Sequence, residues 1–145
     1  MAALSDYLEN KMIDWLLRGQ TFTPPATVYV ALYTVAPSDT GGGTEVTGGS
    51  YARVAVFSSL ANWAGTQSAG STTASTGTGG TTSNNGVVTF PTPSASWGTV
   101  VAAGLFDAST SGNLLIYGNL TASQVVSSGN VTTFPAAALS FQIDN

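Results

Sequence analysis

Residues 27–34 read Thr27-Val28-Tyr29-Val30-Ala31-Leu32-Tyr33-Thr34. Every second residue from Val28 to Leu32 is a branched aliphatic one, and Tyr29, Ala31 and Tyr33 alternate with them. A period of two places these sets on opposite faces of an extended chain, and β-branched and aromatic residues favour that conformation. The stiff pair Pro24-Pro25 separates the run from the residues before it. The sequence therefore predicts a β-strand that begins soon after the prolines.

Similar short apolar runs recur along the rest of the chain, most of them bounded by Gly, Pro, Ser or Asn. We predict further strands at residues 51–57, 87–90, 99–106, 113–117, 130–134 and 139–143. Parallel strands need crossover connections, usually helices, and only one helical segment is present. The sequence therefore predicts a mainly β fold, an antiparallel β-sandwich or jelly-roll-like domain with one N-terminal α-helix.

The N-terminal helix is predicted at residues 1–19, where apolar residues recur at three- and four-residue spacing. Ser5 suits the N-cap position, and Gly19 suits the left-handed position that follows a helix. Leu8, Met12 and Trp15 share one apolar face. That face either packs on the chain's own domain or contacts another subunit, and the sequence leaves both interpretations open. Under the second interpretation, these three residues are candidate partner contacts.

Two connections differ from the others in length and composition. Residues 36–50 are rich in glycine and other turn-forming residues, which predicts a long exposed loop. Its acids Asp39 and Glu45 are further candidate partner contacts. Residues 64–86 are mostly Gly, Ser and Thr without any charge, and such a segment buries too little apolar surface to offset its ordering entropy. We predict one domain over residues 1–145, with the β-sandwich at 26–145 and a flexible insert at 64–86.

Chemically active side chains are scarce. The chain has seven acids, three bases and no histidine or cysteine, and from Val54 onwards its only Asp, Glu, Lys or Arg residues are Asp107 and Asp144. Acid–base catalysis, covalent catalysis and metal binding need clusters of such groups. The candidates for a catalytic carboxylate pair are Asp39, Glu45, Asp107 and Asp144, but their spacing favours loop and turn roles. We therefore predict that the protein is not an enzyme, with no catalytic residue, cofactor or metal.

The charge pattern also bears on partners. Lys11, Arg18 and Arg53 are the only bases, and three separated bases do not form the stripe that nucleic-acid binding needs. No apolar run reaches the roughly 18 residues of a membrane span, and the acids near the N-terminus are unlike a secretory signal. We expect no nucleic-acid or membrane partner and a product that stays in the cytoplasm where it is made. A surface with few charges costs little to desolvate, which suits permanent assembly.

A set of segments spread along the chain is recognisable. They are ALSDYLENK (3–11), LLRG (16–19), TPPATVYVALYT (23–34), GGSYAR (48–53), VTFP (88–91), WGTV (97–100), GLFDA (104–108) and GNLL (112–115). This set resembles a family of small virion proteins of tailed bacteriophages, and the resemblance leaves out only the insert at 64–86. Members are commonly labelled tail-fibre proteins, and similar chains serve as cement or decoration proteins on phage heads.

The resemblance implies a structural role in the virion and carries no catalytic motif. We expect a capsid decoration protein that assembles as a homotrimer, binds the major capsid protein or other virion subunits, and reinforces subunit junctions against internal DNA pressure. The alternative is a tail fibre or tail-tip adhesin involved in host recognition, and an envelope hydrolase is a third interpretation. The expected location is the virion, on the capsid surface rather than the tail, after assembly in the host cytoplasm.

Overall fold

The computed structural model describes residues 2–143, and Asp144, one of the carboxylates considered above, lies outside them. Within this range the chain forms one helix and ten strands. The helix α1 is Asp6–Leu17, and no helix in the range has the length and apolar character needed to cross a membrane. The strands are β1 (Ala2–Leu4), β2 (Thr27–Val35), β3 (Thr44–Glu45), β4 (Val54–Phe57), β5 (Thr81–Ser83), β6 (Val88–Thr89), β7 (Gly98–Phe106), β8 (Leu114–Val126), β9 (Thr133–Phe134) and β10 (Ser140–Gln142).

The strands form one large sheet and two small ones. β1, β8, β7, β2 and β3 lie side by side in that order, and β4 also pairs with β2, which gives a six-stranded sheet. β5 pairs with β10, and β6 with β9. All of these pairings are antiparallel. The predicted mainly β fold with antiparallel sheets and one N-terminal helix is confirmed, whereas the jelly-roll-like connectivity stays a prediction.

The main apolar core lies on one face of the six-stranded sheet. Val30 and Leu32 of β2 belong to it, together with Val100 of β7. Phe90, which follows β6, and Phe141 of β10 are buried in the same cluster. The two small sheets therefore supply the side of the core that faces the large sheet.

The opposite face of the six-stranded sheet carries a second apolar cluster, which includes Ala31, Tyr33 and Phe106. Gly104 of β7 makes room for it. A Cβ at Gly104 would lie 2.9 Å from Cδ1 of Leu114 and 3.2 Å from Cε2 of Tyr33. Both faces of β2 are thus buried at residues 30–33, which accounts for the unbroken apolar run seen in the sequence.

The N-terminal segment differs from the prediction at its beginning. The sequence places a helix over residues 1–19, whereas the structure has strand β1 before α1. β1 pairs with residues 116–118 of β8, and this pairing with a strand far along the chain outweighs the helical propensity of alanine and leucine.

Three further strand segments were missed by the sequence analysis: β3, β5 and the part of β8 beyond residue 117. That part of β8 contains Gly, Asn, Ser and Gln, which weaken the local strand pattern. β5 lies within the predicted insert and pairs with β10, and Ser83 at its end and the adjacent Asn84 are buried. The flexibility predicted for the insert stays a prediction.

Candidate functional site

The base of α1 is fixed to the sheet through Ser5. Its Oγ accepts a hydrogen bond from the backbone N–H of Leu8 at 3.3 Å and donates one to the Leu114 carbonyl. Its own backbone N–H donates to the Leu115 carbonyl at 2.9 Å. The predicted N-cap is thus confirmed, and Gly19 has the predicted left-handed φ of 66°. Because Ser5 is buried, these bonds hold the first turn of the helix in a defined position on β8.

The C-terminal half of α1 exposes large apolar side chains. Ile13, Trp15, Leu16 and Leu17 are 50%, 57%, 70% and 75% exposed, and we call these four residues the α1 patch. Leu8 and Met12, nearer the base, are half-buried, and no residue of α1 is fully buried. Burial of a large apolar side chain stabilises by about 1.5–3 kcal/mol, so that four of them left in water at one end of a helix mark a contact surface.

Asp39 lies beside the first turn of α1. Its carbonyl oxygen accepts a hydrogen bond from the backbone N–H of Asp6 at 3.0 Å. Its carboxylate Oδ1 accepts a hydrogen bond from the hydroxyl of Tyr117 in β8. That hydrogen bond, with a smaller effect from burial, raises the pKa of Tyr117 to about 12. Asp39 is exposed, and the structure therefore brings it next to the helix that carries Leu8, Met12 and Trp15.

Glu45 has its carboxylate engaged inside the domain. Oε1 accepts hydrogen bonds from Nε of Arg53 at 2.8 Å and from the hydroxyl of Tyr51 at 3.0 Å, and Oε2 accepts one from Nη2 of Arg53 at 2.7 Å. The guanidinium carbon of Arg53 lies 3.5 Å from the centre of the Phe106 ring. Burial, and then the charge of Glu45, raise the pKa of Tyr51. Glu45 thus stabilises this corner of the sheet, and its role as a partner contact stays a prediction.

Asp107 closes the turn between β7 and β8. Its Oδ1 accepts a hydrogen bond from the backbone N–H of Asn113, and its Oδ2 accepts one from the Asn113 side-chain amide, both at 2.7 Å. The turn role predicted for Asp107 is confirmed. In the part of the chain that the structure describes, no group of three or more His, Cys, Asp or Glu side chains is placed to hold a metal ion.

Sequence reasoning missed most of the α1 patch and the role of Arg53. Ile13, Leu16 and Leu17 were not singled out, because the helical period draws attention to the single stripe through Trp15. An available signal was the run of apolar residues at 15–17, which is too wide for a helix that buries only one face. For Arg53, the signal was its position as the only base beyond residue 18 in a chain with few charges.

Comparison with protein families gives a match over most of the chain. The model of the family described as Podophage GP4 fiber I protein gp80 matches the chain over residues 3–142. No curated protein matches the chain. The matched range takes in the whole of α1 and the strands from β2 to β10, so that it includes the helix with the α1 patch.

Proposed function

Because this chain belongs to the family described as Podophage GP4 fiber I protein gp80, we propose that it binds other proteins of the phage particle through the α1 patch. As a member of that family, it is a virion-associated structural protein of a phage. The observation that carries the proposal is the exposure of four large apolar side chains on a helix whose base is fixed to the sheet. Such a helix holds its apolar side chains in defined positions, and less conformational entropy is lost on binding.

Our proposal for the position in the particle is the outer surface of the head, where the chain acts as a decoration protein. Three copies assembled as a homotrimer present three α1 patches to the major capsid protein. Each patch adds a modest binding energy, and linking three of them makes the combined attachment much stronger than any single one. A trimer that contacts several capsid subunits opposes their separation, because its contacts are lost when the subunits move apart.

The second candidate is a component of a fibre, and the family description favours it because it names a fiber protein. In this role the α1 patch attaches the chain to another tail or fibre subunit. The sheet domain and its loops then lie outside, available for a host surface. The two candidates share the contact made by α1 and differ in which virion protein lies on the other side of it.

We further propose that the role is structural and not catalytic. The carboxylates considered for catalysis within the described residues each have a structural partner: Asp39 accepts from Tyr117, Glu45 pairs with Arg53, and Asp107 accepts from Asn113. A catalytic carboxylate pair would instead have to reach a common reacting atom.

The position in the particle is tested by immunogold electron microscopy of intact virions with an antibody against this chain. Label over the whole head is expected for the decoration role. Label confined to the tail or to fibres would replace it with the second candidate. Virions without label would contradict a structural role in the particle.

The contact is tested with the substitution Trp15→Ala in phage that produce the variant chain. The number of copies per purified virion, measured by quantitative mass spectrometry, is expected to fall because the patch loses its largest side chain. Phe57→Ala is the matched control, since Phe57 is an aromatic residue of similar exposure (68%) on β4, away from the helix. An unchanged copy number for Trp15→Ala, or an equal fall for both variants, would contradict the assignment of α1 as the contact.

A further inference from the structure

A groove of about 940 Å³ runs beside the C-terminal part of β8. One wall consists of residues 118–122 and 124–126, and the other of residues 129–134 and 138–141. Leu32, Val100 and Ala103 also line the groove, and all three belong to the main core. The groove is therefore an open channel that reaches the apolar core, with a volume at the upper end of the roughly 300–1,000 Å³ typical of binding pockets.

The β8 wall of this groove is an unpaired strand edge. β1 pairs with that edge only as far as Gly118, opposite Ala2, and within residues 2–143 no strand continues along it. On its other edge β8 pairs with β7, but the register shifts between the pairs Ala102–Asn119 and Val100–Gln124. Residues 120–123 consequently have no strand partner on either side. Unpaired backbone N–H and C=O groups along an edge are what an added strand binds.

The lining of the groove defines the chemistry of its occupant. None of the residues along it carries a charge, so that a charged segment would be buried there without a partner, at a cost of several kcal/mol. Val125 and Val131 stand on opposite walls and are 65% and 50% exposed. The two aromatic residues of the lining are Phe141, which is buried in the core, and Phe134, which is half-buried and packs against the core.

We propose that the groove binds an extended, uncharged segment of a neighbouring virion subunit, which pairs antiparallel with the free edge of β8. The segment continues the line of β1, which already occupies the same edge in the antiparallel sense. Residues 124–126 offer a regular part of this edge, because they pair with β7 on their other side, and residues 120–123 form a bulge opposite Val101. The inference rests on the proposed function in one respect, because the binding partner is another protein of the phage particle.

Amide hydrogen exchange, followed by mass spectrometry, tests the pairing directly. Exchange over residues 119–126 is compared between the free protein and the chain in purified virions. A slowing of about tenfold or more in virions is expected, because a hydrogen-bonded amide exchanges only when its bond opens. The turn at residues 107–113, which is held by Asp107 within the chain, serves as the internal control and is expected to exchange at the same rate in both samples.

The outcomes separate this inference from the proposed function. Virions that contain the chain but show unchanged exchange at residues 119–126 overturn the inference alone. The same holds if these amides are already protected in the free protein, since the edge is then satisfied without a partner. Absence of the chain from virions overturns the proposed function and this inference together.

A pair of matched substitutions tests the occupant. Val125→Lys places a charge on the groove wall, whereas Val87→Lys places one at a valine of similar exposure (63%) outside the groove. Val125→Lys is expected to abolish the slowing in virions or to lower the copy number, and Val87→Lys is expected to do neither. Retention of full protection in Val125→Lys overturns the inference. A glycan ligand would also overturn the inference. In that case the protein would bind neutral oligosaccharides from a test panel, Val125→Lys would abolish this binding, and the amides of residues 119–126 would stay unprotected in virions.

Discussion

Replacement of Arg53 by methionine is expected to lower the free energy of unfolding by about 3 kcal/mol. Methionine keeps an apolar stem beside Phe106 but removes the charge and four hydrogen bonds, of which two go to Glu45 and one each to the carbonyls of Ala108 and Ser111. The side chain of Arg53 is only 7% exposed. Its loss therefore leaves Glu45 with a single donor, the hydroxyl of Tyr51.

The size of this loss in unfolding free energy follows from the surroundings that remain for Glu45 after Arg53 is replaced. Loss of one member of a buried ion pair costs about 3–5 kcal/mol. The lower end applies here because the Glu45 side chain is 23% exposed and regains some water. Glu45→Gln, which keeps an acceptor without charge, is expected to cost about 1–2 kcal/mol. The double variant is expected to cost less than the sum of the two single changes, because both remove the same contact.

Urea unfolding followed by tryptophan fluorescence measures these energies, since Trp97 is buried in the core and reports its exposure. The matched control is Arg18→Met, which removes an exposed ion pair between Arg18 Nη1 and Asp14 Oδ1, 2.9 Å apart, and is expected to cost no more than about 0.5 kcal/mol. A cost for Arg53→Met below about 1 kcal/mol, or equal to that of the control, would refute the reasoning that this pair holds the corner of the sheet.

Three further changes have expected outcomes in the same unfolding assay. Asn84→Leu is expected to cost about 3 kcal/mol, because it removes three side-chain hydrogen bonds to backbone atoms at a site only 1% exposed; a cost near zero would contradict this. Gly43→Ala is expected to destabilise more than Gly42→Ala: both glycines have a φ of 72°, but only at Gly43 would the Cβ lie 2.5 Å from the carbonyl oxygen of Val35. Burial raises the pKa of Tyr33 to about 12, whereas unfolded tyrosine has a pKa of about 10. The unfolded chain therefore loses its proton first, and stability is expected to be constant below about pH 10 and to fall between about pH 10 and 12; Tyr33→Phe should reduce this fall, and an unchanged profile would contradict the assignment.

Local sequence patterns were sufficient to predict the helix and the strand whose buried faces can be recognised from the spacing of their own apolar side chains. The alternation in residues 27–34 predicted β2, and the structure buries Val30 and Ala31 on opposite sides of the sheet. The spacing of apolar residues before Gly19 predicted α1, and Ser5 was identified as its cap. In each case the period and the capping residue lie within a few positions of one another, so that no distant contact is needed to recognise them.

The missed elements depend on contacts between distant parts of the chain. β1 is a strand because β8 lies beside it, and β5 is one because β10 does. The far end of β8 is a strand because residues 124–126 pair with β7. Strand pairing across such separations is a tertiary effect that local propensity does not encode.

The candidate contact residues were predicted only in part, because their surroundings also depend on contacts between distant parts of the chain. Trp15 was identified from its place on the helix, but whether the helix lies flat on its own domain depends on where Ser5 anchors it, and that position is set by β8. Glu45 was chosen as an acid in a glycine-rich loop. Its carboxylate meets Arg53, eight residues further on, only because β3 and β4 both pair with β2.

The distribution of charge separates the two surfaces that we propose for contact. Five of the seven acids, Asp6, Glu9, Asp14, Asp39 and Glu45, lie in the first 45 residues, and the first three of them are in α1 itself. A partner that covers the α1 patch must leave the carboxylates of α1 in water or pair them, which restricts how it can be oriented. The groove beside β8 has no charge along it, and its recognition rests on backbone hydrogen bonds that any uncharged extended segment supplies. The helix is therefore the surface on which partner specificity depends, whereas the groove adds binding energy with little demand on the sequence of the segment that enters it.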